Sequence, residues 1–195
     1  MEPLGPKYGV YKIDIWPTAQ KQDWFLKLNP NGRIPTIVDP NTNTTISESG
    51  AILQYLVDTY DKDHKFSYKY GTPLYYKQLE VLYFQMAGVG PMFGQYSHFA
   101  RFAKEKIQYG IDRYRAESIR LTGVLEEILA RNEANSPFLV GDHISIADIA
   151  VYPWIRLLPR FEVSLDEFPK VKKFIETIDA IPEVQKGLVV IPPNY

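Results

Sequence analysis

The chain has 195 residues, 45% of them hydrophobic, with a net charge of −1, enough for one large domain or two small ones with real cores. That charge gives no global field favouring nucleic acid or a membrane surface, and the absence of cysteine excludes disulfides, thiolate metal sites and cysteine nucleophiles. No signal-peptide pattern and no apolar run long enough to span a bilayer occurs, so the expectation is a cytoplasmic protein that binds neither nucleic acid nor membrane.

Met1–Lys7 carries two prolines and a glycine and reads as poorly ordered or as the remnant of a helix. Val10–Trp16 alternates apolar and polar residues, as a half-buried strand does. Thr18 then caps a short predicted helix carrying Gln20, Trp24, Phe25 and Leu28.

The stretch from Asn29 to Leu56 organises the rest. Asn29-Pro30-Asn31-Gly32 is a turn signal. Ile34-Pro35 follows and enters a predicted strand, Thr36–Asp39. A proline at a strand entrance has no N–H to donate and can adopt the cis form, which leaves the backbone of Ile34 available to an extended ligand. A second turn, Asn41–Thr44, leads to a brief strand, Thr45–Ser47, and Glu48-Ser49-Gly50 opens a helix over Ala51–Tyr60. A helix N-terminus attracts a carboxylate, and Glu48 beside it can hold an ammonium. Together they suit the two ends of an amino-acid head group. The plainer reading of Glu48-Ser49 is a solvated, capped helix start.

Asp61–Thr72 is charged and aperiodic and reads as a linker, with His64 in it solvated. From Pro73 the period is helical, with Tyr75, Leu79, Leu82 and Met86 as the expected buried stripe. Gly88, Gly90 and Pro91 predict a kink or break. After it, Gln95, His98, Phe99 and Phe102 share one face, with Tyr96 off that stripe. No histidine or carboxylate stands at metal-ligand spacing from His98, so no metal is expected, and the plain reading of His98 is a satisfied buried or interface side chain. Gln108–Arg131 is the longest helical segment, with a stripe of Ile111, Tyr114, Ser118, Leu121, Leu125 and Ile128. Arg113 stands off that stripe, one turn from Glu117, and a surface ion pair between them is one reading.

Asn132–Pro137 is a polar loop. Ser145-Ile146-Ala147-Asp148 fits a capping box, a folding motif, ahead of an almost wholly apolar helix over Ile146–Leu158. Phe168–Ile178 makes a further helix, and the apolar, proline-rich tail is expected to pack over the first domain. Phosphate loops, HExxH and GxSxG patterns are absent.

GRIPTIVD, SESGAILQYL, GVGPMFGQYSHF (Gly88–Phe99) and FLVGDHISIADIAVYPW (Phe138–Trp154), in that order, resemble the glutathione transferases. The likeness is to the nu class and the related transferase-like nitrogen regulator of fungi, and it runs from about Tyr8 to Val190. It implies an α/β thioredoxin-like domain over 1–60, truncated at its start, a linker over 61–72 and an all-α domain over 73–195. It implies glutathione as ligand, a homodimer and no metal. The γ-glutamyl group would sit at Glu48 and Ser49, the cysteinyl backbone at Ile34 beside Pro35, and the glycine end at Gln20. A solvated helix-start residue is the other reading of Gln20. Gln95, His98 and Phe99 would wall the co-substrate site beside the dimer cleft, and Arg113 would point toward the sulfur. Ser145 and Asp148 match the family's N-capping box.

In the family a first strand and helix precede the segment where this chain starts, and their loop carries the residue that contacts the sulfur. The resemblance therefore leaves the catalytic residue unassigned. It also leads us to expect weak glutathione binding, little transferase activity, and a first domain either frayed or covered by Leu188–Ile191. Two functions stand: a glutathione transferase or glutathione-dependent disulfide reductase, and a non-catalytic glutathione-binding regulatory module.

Overall fold

The computed structural model describes residues 4–15, 18–161 and 163–190. Contacts divide the chain into two units, Met1–Lys62 with Glu183–Tyr195, and Asp63–Pro182.

The first unit is built on a hairpin. Strands β1 (Thr36–Asp39) and β2 (Thr44–Ser47) pair antiparallel, with Thr36 opposite Ser47 and Asp39 opposite Thr44. Helix α2 (Ser49–Tyr60) follows directly and buries Ile52, Leu56 and Val57. Asp39 fastens the two together. Its carboxylate accepts the Asn41 N–H in the turn at 2.9 Å, the Tyr55 hydroxyl at 2.7 Å, and the Tyr60 hydroxyl.

Two expectations for this unit are corrected. Val10–Ile15 is not a strand, and most of its residues are exposed; Trp16 lies outside the described residues. The sheet among the described residues has only two strands, and an alternating sequence with no neighbour to share its hydrogen bonds stays irregular and solvated. Thr18 adopts φ 69° and its side chain caps nothing. The predicted helix is a 3-10 turn, Ala19–Lys21, and a single helical turn, α1 (Asp23–Leu26), whose one buried residue is Phe25.

The second unit is helical. Thr72 caps α3 (Pro73–Phe84) by accepting the Tyr75 N–H at 3.3 Å. The break expected at Gly88–Pro91 is instead a widened, π-helical turn over Gln85–Val89, in which Gly90 N–H reaches back to Gln85 O. The extra residue in that turn accommodates Pro91, which has no N–H and would clash one turn back in a regular helix. Helix α4 (Gly90–Ser97) continues into a second π turn, His98–Phe102, closed by Ala103 N–H on His98 O at 2.8 Å.

Helices α5 (Gln108–Ala130), α6 (Ile146–Ile155) and α7 (Pro169–Asp179) complete the unit, and Val89, Phe93, Leu121, Leu125, Ile146, Val151, Ile155 and Phe174 form its core. The capping box at Ser145 is formed. Asp148 accepts the Ser145 N–H at 2.7 Å and its hydroxyl at 2.8 Å, while its other oxygen takes the Leu139 N–H at 2.8 Å.

The buried face of α3 differs from the expected stripe. Gln78, Val81 and Leu82 are buried, and Gln85 and Val89 continue that face, while Tyr75, Leu79 and Met86 are half-buried. Two glutamines occupy core positions, so apolarity alone selects the neighbouring stripe.

The tail is also corrected. Leu188 and Val189 belong to α8 (Pro182–Val189) and are not extended; Ile191 lies outside the described residues. From Glu183 onward the chain groups with the first unit, as expected of a tail that packs on that domain. Among the described residues no helix is long and apolar enough to cross a membrane, and no cluster of His, Asp and Glu could hold a metal.

Candidate functional site

The site in the first unit grows from the turn Asn29–Arg33. Asn29 is buried, and its side chain holds the turn from both sides. Its carbonyl oxygen takes the Asn31 N–H at 3.0 Å, and its amide donates to Arg33 O at 2.7 Å. Gly32 has φ +60°, and a Cβ there would meet Leu26, Lys21 and the Gln20 carbonyl at 2.9–3.0 Å. Only glycine supplies both the left-handed conformation and the room. That close approach brings the Gln20 segment against the turn. Lys21 Nζ adds a bond to Asn31 O at 2.9 Å. Asn29 and Lys21 are residues that sequence reasoning missed as supports of the site, although the Asn-Pro-Asn-Gly pattern was the available signal.

The Ile34–Pro35 peptide is cis. Ile34 is 49% exposed, and its backbone makes no hydrogen bond among the described residues. The hairpin register then decides its neighbours. Thr36 faces Ser47, and their hydroxyls are hydrogen-bonded at 2.9 Å. The register ends at that pair, with Ile34 and Pro35 immediately before it on one strand and Glu48 and Ser49 immediately after it on the other. The hairpin thus juxtaposes an available backbone edge with the N-terminus of α2.

Glu48 is the N-cap of α2, at φ 72° and ψ 118°, and its side chain makes no capping bond. Its carbonyl accepts the Ile52 N–H at 2.8 Å. A positive φ in a non-glycine residue costs of order 1–3 kcal/mol and persists only where the surroundings hold it. Here β2 and α2 meet with no intervening loop, and this residue absorbs the whole change of direction. Its carboxylate is left exposed beside the N–H groups of the first helical turn. Gln20 is half-buried, and its Oε1 has no hydrogen-bond partner among the described residues. Ile34, Pro35, Glu48, Ser49 and Gln20 are therefore all gathered around one hairpin and its flanking turn. Chemically, this is an exposed carboxylate, a helix N-terminus and an extended backbone edge.

The remaining residues lie in the second unit. Gln95 is exposed on α4. His98 is exposed at the start of the second π turn, its ring edge-on to Phe99 at 5.2 Å. Phe99 stacks on Tyr114 of α5, ring centroids 5.5 Å apart and planes 15° apart. Exposure excludes the satisfied buried reading of His98. Arg113 is exposed and makes no contact ion pair with Glu117, although its charge adds a small part to the lowering of that carboxyl. Glu117 is taken by Arg120 in a bidentate pair at 2.7 and 2.8 Å, which holds the Glu117 carboxyl below its usual range. The surface pair considered for Arg113 is thus replaced by one a turn closer to the C-terminus, because Arg120 reaches both oxygens.

Comparison with known proteins follows the same division. The family model "Glutathione S-transferase, N-terminal domain" matches residues 2–59, and "Glutathione S-transferase, C-terminal domain" matches residues 97–188. A solved glutathione transferase homolog from Lodderomyces elongisporus, with two GSH per subunit, is 50% identical with a TM-score of 0.94, covering 98% of this chain and 90% of that one. The glutathione S-transferase-like protein tpcF of Aspergillus fumigatus is 42% identical over 191 residues, 93% of this chain and 85% of its own length. The disulfide-bond oxidoreductase YfcG of Escherichia coli is 36% identical over 189 residues, 93% of this chain and 83% of its own length. The chain belongs to the glutathione S-transferase family.

Proposed function

We infer that the chain binds glutathione and directs its thiol to an electrophile or to a disulfide. The glutathione ammonium pairs with Glu48, and the γ-glutamyl carboxylate lies at the α2 N-terminus by Ser49. The cysteinyl backbone hydrogen-bonds Ile34 beyond Pro35, and Gln20 takes the glycine end. The observation that supports this reading is the Thr36–Ser47 pairing, flanked by the unused backbone of Ile34 on one strand and by the Glu48-Ser49 helix start on the other. The solved relative with GSH and the disulfide-bond oxidoreductase relative support the two chemistries.

Gln95, His98 and Phe99 serve as the co-substrate wall. Arg113, whose guanidinium has no carboxylate in ion-pair contact among the described residues, serves to stabilise a thiolate. A nearby cation lowers a thiol pKa and so raises the fraction of the nucleophilic form. In transfer, the thiolate sulfur bonds to the electrophilic carbon and the leaving group departs with the bonding pair. In disulfide reduction it bonds to one sulfur and expels the other as a thiolate.

The glutathione-binding domain spans 1–60 and the all-α domain 73–195, joined by a linker over 61–72. The partner is a second copy of the chain, and the compartment is the cytoplasm. Leu74, Tyr76 and Tyr83, exposed along α3, supply apolar surface for that pairing.

Replacing Glu48 by alanine should weaken glutathione binding by about 1.5–3 kcal/mol, the worth of a charged hydrogen bond, or roughly ten- to a hundredfold. Titration calorimetry on the folded variant checks this. Unchanged affinity removes Glu48 from the site.

A further inference from the structure

The helical unit opens at Asp63 with irregular backbone, and residues 66–68 of that segment are fastened to the loop that leads into α6. The Ile146 N–H donates to Phe66 O at 3.0 Å, and the Tyr68 hydroxyl donates to Val140 O at 2.6 Å. His143 Nε2 stands 3.1 Å from Ser67 O. Ser67 and Tyr68 are buried. Gly141, at φ +54°, makes room for the Tyr68 ring, which a Cβ there would strike.

The other nitrogen of the same imidazole is also engaged. His143 Nδ1 lies 2.8 Å from a carboxylate oxygen of Asp142. A backbone carbonyl only accepts, and so does an ionised carboxylate. Each ring nitrogen must therefore carry a proton to make its bond. A neutral imidazole has one N–H and one lone pair, so one of the two contacts would set a lone pair against an acceptor. Only the imidazolium makes both bonds. The His143 hydrogen bond holds the Asp142 carboxyl below its usual range, which keeps that partner ionised. A charged donor also strengthens the bond to Ser67 O. The Tyr68 ring lies against the imidazole, centroids 4.5 Å apart and planes 43° apart, and an aromatic face favours a cation beside it.

The other titratable groups on the packed segments are otherwise placed. Asp63 and Lys65 pair with each other at 3.5 Å, and Lys69 and Glu133 are exposed. His64 is exposed, with Nδ1 3.2 Å from Ser67 Oγ, a hydroxyl that donates or accepts and so fits either protonation state. Burial pushes the Tyr68 hydroxyl up to about 12, so it stays protonated. Asp148 accepts from Ser145 and Leu139.

We propose that His143, as an imidazolium bonded to both Asp142 and the Ser67 carbonyl, is a proton-operated clasp that holds the 66–68 segment to the loop before α6 and loosens when the ring is neutral. Protonation tightens it, and loss of the proton as pH rises removes one of its two donors.

The test is amide hydrogen exchange of the full chain, read by NMR at about pH 6 and about pH 8 and corrected for intrinsic exchange at each pH. The Ile146 amide, which ends on Phe66 O, should lose about fivefold in protection at the higher pH, the difference between a charge-assisted and a neutral hydrogen bond. His143→Gln keeps a donor for Ser67 O but takes up no proton, and should abolish that loss. The Asp148 contribution is already spent by about pH 6 and does not enter this interval. Nitrogen-15 shifts of the parent should show both His143 ring nitrogens protonated at about pH 5 and one of them at about pH 8. Equal pH dependence of Ile146 protection in parent and variant overturns the proposal. So does a parent ring whose protonation is the same at both ends of that range, a result that does not depend on the variant folding.

Discussion

Asp39 and Asp148 are both buried, yet their surroundings act on them in opposite directions. Hydrogen bonds from the Tyr55 and Tyr60 hydroxyls hold the Asp39 carboxyl below its ordinary value. Burial pushes Asp148 up to about 6, against the Leu139 and Ser145 bonds that favour its charged form. The two therefore make opposite contributions to stability against pH. The Asp39 contribution is present above the ordinary carboxylate range and is lost as pH falls through its lowered value. The Asp148 contribution is fully present below that range and is lost as pH rises through about 6. Asp148→Asn should lose the component of stability that declines between about pH 4 and about pH 6. It should also cost about 1–3 kcal/mol at the lower pH, because an amide cannot accept from both Leu139 and Ser145 as the carboxyl does. Thermal melts of parent and variant at the two pH values check this, and parallel profiles overturn it.

At the scale of elements, the two π turns and the glycines beside them set which side chains meet. A Cβ on Gly110 would stand 2.8 Å from the Phe99 ring, the same ring that stacks on Tyr114. Gly110→Ala should thus lose about 1–2 kcal/mol, the overpacking cost exceeding the ~1 kcal/mol that alanine adds in helix propensity. Gly187 gives the control. It lies in α8, and a Cβ added there would meet nothing within 4 Å, so Gly187→Ala should gain up to about 1 kcal/mol. Urea unfolding of the two variants gives opposite signs if close contact decides the matter. A gain at both positions would show that Phe99 yields freely.

For the molecule as a whole, the exposed apolar face of α3 is the feature that folding of one chain leaves unexplained. Tyr83 is 65% exposed and Tyr76 56%, on a helix whose opposite face buries two glutamines. A two-fold pair is the commonest closed assembly for a soluble protein. Light scattering at micromolar concentration should give twice the 22.5 kDa chain mass, and Tyr83→Glu should shift the population toward monomer. A parent that scatters as a monomer excludes the dimer.

Features governed by near neighbours were legible in the sequence. The Asn-Pro-Asn-Gly turn, the Pro35 strand entrance, the helix start at Glu48-Ser49 and the capping box at Ser145 and Asp148 each depend on residues within a few positions. Their chemistry is therefore written locally. Features that depend on a distant partner were not. Val10–Ile15 has the alternation of a strand, but a strand exists only where another shares its hydrogen bonds. Gln78 and Gln85 are buried because other helices cover them, while Tyr76 and Tyr83 on the opposite face are exposed on the single chain. Arg101 and Arg160, 59 residues apart, meet only because the 3-10 turn after α6 folds back onto the second π turn. The sequence by itself determined the turns and the caps, since short-range sterics and hydrogen bonding suffice for these. Only the tertiary structure decided which faces are buried and which distant residues meet, since both depend on packing between segments remote along the chain.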